Sequence, residues 1–348
     1  MDRRDVLRLG GAGLGATLAG CLDGFERTSA WRDPPLVENR PQAVYVPAIT
    51  EGMALIQTAT VGAYKVALSY SYPHRFWNVQ SDAREKVTVT ADDSVHLMAS
   101  VWDRETGIVV PSSGVSLEIH RDESLVSQEV IYPMLSQQMG FHYGANFPLD
   151  GEGEYQVRLS IGGLSMPRTG AFTSRFGDPL SVELPFTFDT DALYDLSIRR
   201  LGERQGQRAA IEPMDMGVPS GVVPDIAVGS VLGTAVSGDA QFTARLIRDA
   251  PRFGGGTYLA VTAHTPYNRI VLPMMQLSGE VTTAAGNTID ISLSAALDST
   301  LGYHYGVPLE KTTDIEHLTL TVDLPPQVAR HDGYETAFFE MPAMTIGQ

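Results

Sequence analysis

Tyr155-Gln156-Val157-Arg158-Leu159-Ser160-Ile161 places an apolar residue at every second position, and Val115-Ser116-Leu117-Glu118-Ile119-His120 does the same. A period of two turns one side of the chain toward a core and the other toward water, as in a half-buried β-strand. Leu318-Thr319-Leu320-Thr321-Val322-Asp323 repeats the pattern far downstream. Turn residues separate such runs at short spacing, as in Gly151-Glu152-Gly153-Glu154 and Ala285-Gly286-Asn287. Short strands joined by tight turns predict an all-β chain of antiparallel sandwiches rather than βαβ units.

The chain also matches itself. His142-Tyr143-Gly144 recurs as His304-Tyr305-Gly306, an offset that also pairs Leu97 with Leu259, Val109 with Val271, Pro111 with Pro273, Ser116 with Ser278, Glu118 with Glu280, Gly140 with Gly302 and Arg168 with Arg330. One register held without a gap over roughly 70 residues predicts a duplicated domain. The expected division is a first copy over 46–192, a polar linker over 193–204 and a second copy over 205–348, together able to form an intramolecular pseudo-dimer.

Composition narrows the function. The 348 residues carry a net charge of −16, and only Lys65, Lys86 and Lys311 are lysines. Nucleic acid as a partner would require a basic face. Carboxylate-rich, lysine-poor sequences resemble those of halophiles, whose surfaces work in strong salt that screens their self-repulsion. The single cysteine excludes an internal disulfide, a Cys-x-x-Cys pair and a Cys-ligated cluster. It lies in Leu18-Ala19-Gly20-Cys21, behind Arg3-Arg4 and a short apolar run. That arrangement reads as a twin-arginine lipoprotein signal over 1–20, with Cys21 as the lipid-bearing residue that anchors the chain outside the cytoplasm. Residues 21–45, with Pro34, Pro35 and Pro41 among charges, are expected to be a tether.

Several catalytic signatures are missing: there is no Gly-x-Ser-x-Gly elbow, no His-Glu-x-x-His and no phosphate loop, so a non-enzymatic role is expected. Histidine and methionine are more informative. His96 lies on an alternating strand, Met134 follows Pro133, and His142 opens the His-Tyr-Gly turn. Imidazoles with a thioether suit copper, Cu(I) in particular, because sulfur is soft. His74, His120 and His317 show no ligand-like neighbours and receive no role. His264 with Met274 and Met275, and Met214 with Met216, read as core or strand-edge residues.

The stretch Tyr132-Pro133-Met134 through His142-Tyr143-Gly144-Ala145-Asn146 and into Gly151-Glu152-Gly153-Glu154-Tyr155 resembles the signature of the periplasmic iron-transport accessory proteins. The resemblance implies immunoglobulin-like, cupredoxin-like sandwiches that pair as dimers and bind copper, with iron as a further metal. It also implies assistance to a membrane iron permease. Its ligands fall on His96, Met134 and His142. Met98 stands where that family has a glutamate, and Arg168-Thr169 where it has Arg-His. The second copy has the reverse deficit, keeping His304 and Arg330-His331 while Tyr258 replaces the strand histidine. A site drawing His331 into the first copy would be shared between the halves. Metal affinity is then expected to fall through the ordinary histidine range near pH 6.5. The rival reading is a metal-free surface adhesion or structural module.

Overall fold

The structure, a computed structural model, describes residues 34–248, 251–310 and 314–347. The expected signal over 1–20 and Cys21 lie outside the described residues. What is described is mostly β, with one short α-helix, Thr190–Tyr194, capped by the Asp189 carboxylate. No described helix is long and apolar enough to cross a membrane.

The first body is built from Ala54–Val61, Tyr64–Ser71, Val95–Asp103, Val115–Arg121, Ser124–Ser136, Gly140–Phe147, Gly153–Ile161 and Leu180–Phe188. Alternation sets the register. Val157 faces Ile119 and Leu184 inside, whereas Arg158 sits between Glu118 and Glu183 outside, 2.8 Å from Glu183. The long strand Ser124–Ser136 joins the two layers of the sandwich. Its first part pairs with Val115–Arg121 and its second with Gly140–Phe147.

The second body repeats this device. Thr288–Asp298 pairs first with Gln276–Thr283 and then with Gly302–Leu309. Its outer strands, Ser230–Ser237 and Met344–Gly347, come together so closely that a Cβ on Gly233 would lie 2.8 Å from the Gly347 nitrogen. The expected second open sandwich is therefore a nearly closed barrel. Buried apolar residues of both bodies form one continuous cluster. Tyr143 and Tyr305 occupy matching places in it, donating hydrogen bonds to Val110 O at 3.0 Å and Leu272 O at 2.8 Å.

The bodies also exchange strands. Arg168–Thr169 pairs in parallel with Leu297 and Asp298, and Ala329–Arg330 pairs in parallel with Met134 and Leu135. Moving by 162 positions converts one pairing into the other. Ala329–Arg330 is held on its other side by Trp77 of the Phe76–Gln80 strand. A short strand of the second body is thus built into the first.

Within the tether expected over 21–45, the described part is anchored by buried Val37 and is packed from Ala43 onward. Val44 and Tyr45 are buried because Tyr45 donates its amide to Gly333 O and its hydroxyl to Glu335 at 2.6 Å. The expected linker 193–204 contains the strand Ile198–Arg200, which pairs with Ile49–Glu51. The chain then crosses between the bodies: Ser220 O accepts from Phe141 N, and Gly221 O from Val271 N.

Candidate metal centre

Alternation places functional side chains opposite the core. On Val95–Asp103, Leu97 and Ala99 point into the apolar cluster, so His96 and Met98 point away. In the next strand, Asn146 lies opposite His96 and Gly144 opposite Met98. In the strand beyond, Met134 lies opposite His142. These residues therefore share one face. Two segments cover it: the turn after Tyr64–Ser71, carrying His74, and the inserted Ala329–Arg330 strand, which ends at His331. The His331 amide donates to Leu135 O at 3.1 Å, fixing the imidazole above the sheet.

Four imidazoles and a thioether meet there. Ring centroids lie 4.1 Å apart for His74 and His96, 4.8 Å for His74 and His331, and 5.3 Å for His142 and His331. His331 Nε2 is 3.3 Å from Met134 Sδ. Candidate ligand atoms of His74, His96 and His331 all lie within 4.8 Å of one another. A cavity of about 80 Å³ opens from this cluster and is also lined by Glu51 and Met98.

Outer partners fix the tautomers. Nδ1–H of His96 donates to Asn146 Oδ1 at 2.7 Å, that of His142 to Gly140 O at 3.2 Å, and that of His74 to Tyr72 O at 2.9 Å. Nε2 of each is left as a buried lone pair with no hydrogen-bond partner. Metal-binding histidines show this arrangement, one nitrogen anchored and the other presented. Gly144 provides the room, because a Cβ there would stand 2.8 Å from His96 Nε2 and 3.2 Å from Met134 Sδ. The donors present therefore fit a metal ion.

Burial keeps His96, His142 and His331 neutral. It lowers the His142 pKa to about 4 and holds His96 and His331 well below the ordinary histidine value, with neighbouring rings adding to the effect. Proton competition, expected near pH 6.5, is displaced downward, since a desolvated imidazolium is unfavourable. Burial raises the pKa of Asp332, although Arg75 holds its carboxylate with a two-pronged contact at 3.1 and 2.6 Å.

The structure thus brings His96, Met134, His142 and His331 together, with His331 arriving from the second body. His304 lies elsewhere. Its Nδ1–H donates to Gly302 O at 3.0 Å and its Nε2 accepts from the Tyr258 hydroxyl at 3.1 Å, so neither nitrogen is free. Tyr258, Ala296 and Thr169 occupy the places that correspond to His96, Met134 and His331 in the first body. The Tyr258 hydroxyl fills the hollow beside Gly306, where a Cβ would come within 2.0 Å of it. His74, given no role from sequence, belongs to the cluster. Ser71 lies opposite His96 in register, so the turn that follows returns over that residue. Tyr72-Pro73-His74 was the available signal, but its use depends on knowing that register.

Residues 61–173 match the family described as Fe2+ transport protein, and residues 225–347 match a domain of unknown function, DUF7350. No curated protein matches the chain. Among solved structures, a copper-bound variant of FetP from uropathogenic Escherichia coli is 20% identical, covering 39% of this chain and 97% of its own, with a TM-score of 0.30. Copper-reconstituted P19 from Campylobacter jejuni is 17% identical over 39% of this chain and 96% of its own, also at 0.30. FetP as isolated, after expression in the periplasm of E. coli, is 20% identical over 40% and 95%, at 0.29.

Proposed function

We propose that the protein binds copper at His74, His96, Met134, His142 and His331 and assists iron transport without catalysing a reaction itself. The observation that carries this reading is the triad of His74, His96 and His331, whose candidate ligand atoms lie within 4.8 Å of one another beside Met134 Sδ and the hollow left by Gly144. Neutral nitrogen with soft sulfur favours copper over metals that prefer oxygen donors. The match of residues 61–173 to the Fe2+ transport family supports the iron role, with an iron permease as the partner. The offset of 162 and the reciprocal strand pairings support a duplicated, internally paired chain whose second centre has been lost. Lipid attachment at Cys21 and an acidic surface suit a protein held outside the cell membrane in salt.

In this reading each residue has its part. His96 and His142 are fixed by the sheet, His74 closes one side, and His331 and Met134 close the other. Bound copper would be a fixed soft Lewis acid, and the protein would supply orientation and exclusion of water.

Copper content of the full-length chain, reconstituted in strong salt, tests the proposal. One copper per chain is expected, with loss on His96→Ala and on His331→Ala. Stoichiometric copper retained by a folded His96→Ala, His142→Ala double variant would overturn it.

A further inference from the structure

We infer that the centre selects the cuprous ion and that Met98 is its second sulfur ligand; this rests on the copper reading above. Met98 is 2% exposed, yet it belongs to none of the apolar clusters of the fold. A buried methionine ordinarily fills core space. This one points away from the core and lies between Ser69 on one neighbouring strand and Gly144 on the other. Gly144 offers it no side chain to pack against. The space over Gly144 is the hollow that His96 Nε2 and Met134 Sδ border, and Met98 lines the same cavity as His74, His142 and His331.

Charge leads to the same conclusion as softness. The inner donors are imidazoles that give their Nδ1 proton to outer partners and leave Nε2 as a lone pair, together with uncharged thioethers. Two carboxylates line the cavity, but Arg75 neutralises Asp332 in a paired contact. Glu51 lies at the outer side of His74, 3.3 Å from Nδ1 rather than facing Nε2. The surroundings therefore balance about one positive charge. The cost of desolvating an ion rises with the square of its charge, so a divalent ion in this buried, neutral shell is disfavoured relative to a monovalent one. Two thioethers add soft donation that Cu(I) uses and Fe(II) or Mn(II) does not. Met53 and Met139 line the same cavity and add further thioethers around it.

Two measurements on the full-length protein test this. X-ray absorption of the Cu(I)-loaded chain should show two sulfur scatterers, falling to one in Met98→Leu. Leucine is close in volume and should preserve the fold. In competition with chromogenic chelators, Met98→Leu should weaken Cu(I) binding roughly tenfold or more and leave Cu(II) binding unchanged. Met98→Glu should reverse the preference toward Cu(II). A single sulfur in the wild-type spectrum, or equal loss of both oxidation states in Met98→Leu, overturns the inference while leaving the copper reading intact. Failure to bind copper in either state overturns both.

Discussion

Acidifying the metal-free protein should destabilise it through its buried histidines, and His142 permits an estimate. In the fold its imidazole stays neutral down to about pH 4. In the unfolded chain the same group takes a proton near pH 6.5. Above about pH 6.5 neither state is charged, and the group contributes nothing to the pH dependence. Below it the unfolded state binds the extra proton, so stability falls with pH and levels off once the folded imidazole also titrates. A gap of about 2.5 units at about 1.4 kcal/mol each amounts to about 3 kcal/mol lost from His142 by pH 4. His96 and His331, lowered for the same reason, act in the same direction, whereas Asp332, raised by burial, opposes them. Urea denaturation of wild type and of His142→Gln, measured at several pH values between about 7 and 4, isolates the histidine because the glutamine does not titrate. The stability difference should shift toward the variant as pH falls. A difference that stays constant across this window would refute the claim that the fold keeps this imidazole neutral.

Two further substitutions separate the proposed metal hollow from its filled counterpart. Gly144→Ala puts a methyl 2.8 Å from His96 Nε2. It should cost about 1–3 kcal/mol of stability and markedly weaken copper binding, whereas unchanged affinity in a chelator competition would show that the hollow is not where metal sits. Tyr258→Phe leaves the buried His304 Nε2 without its donor. A cost of about 1–3 kcal/mol in urea denaturation is expected with copper affinity unaltered, and a coupled loss of affinity would contradict the separation of the two places.

Much of the architecture was legible because strand alternation is local. Val157 and Arg158 declare opposite faces without reference to the rest of the chain, and the structure seats them accordingly. Closure of the second body was not legible. It depends on Gly233 admitting Gly347, a contact between residues over a hundred positions apart. The site divides in the same way. His96, Met134 and His142 could be proposed from motif and face, and His331 from the late Arg-His motif that Arg330-His331 resembles. His74 could not, because its position follows from the register of Ser71 against His96. His304 has the same local sequence as His142. Its different environment comes from Tyr258, 46 residues earlier in the chain, whose hydroxyl donates to its Nε2.

The insertion of Ala329–Arg330 into the first body has a consequence for the order of events during synthesis. His331 follows Met134 by 197 residues. Domains generally fold as units from the N-terminal side as the chain emerges. The first body alone would offer an open, three-histidine basin with its lid missing. On the proposed function, the full donor set forms only after the second body has folded and docked, so metal loading would record completion of that fold. On the same reading, a truncated or misdocked product would lack the His331 donor, which would make loading a check on assembly.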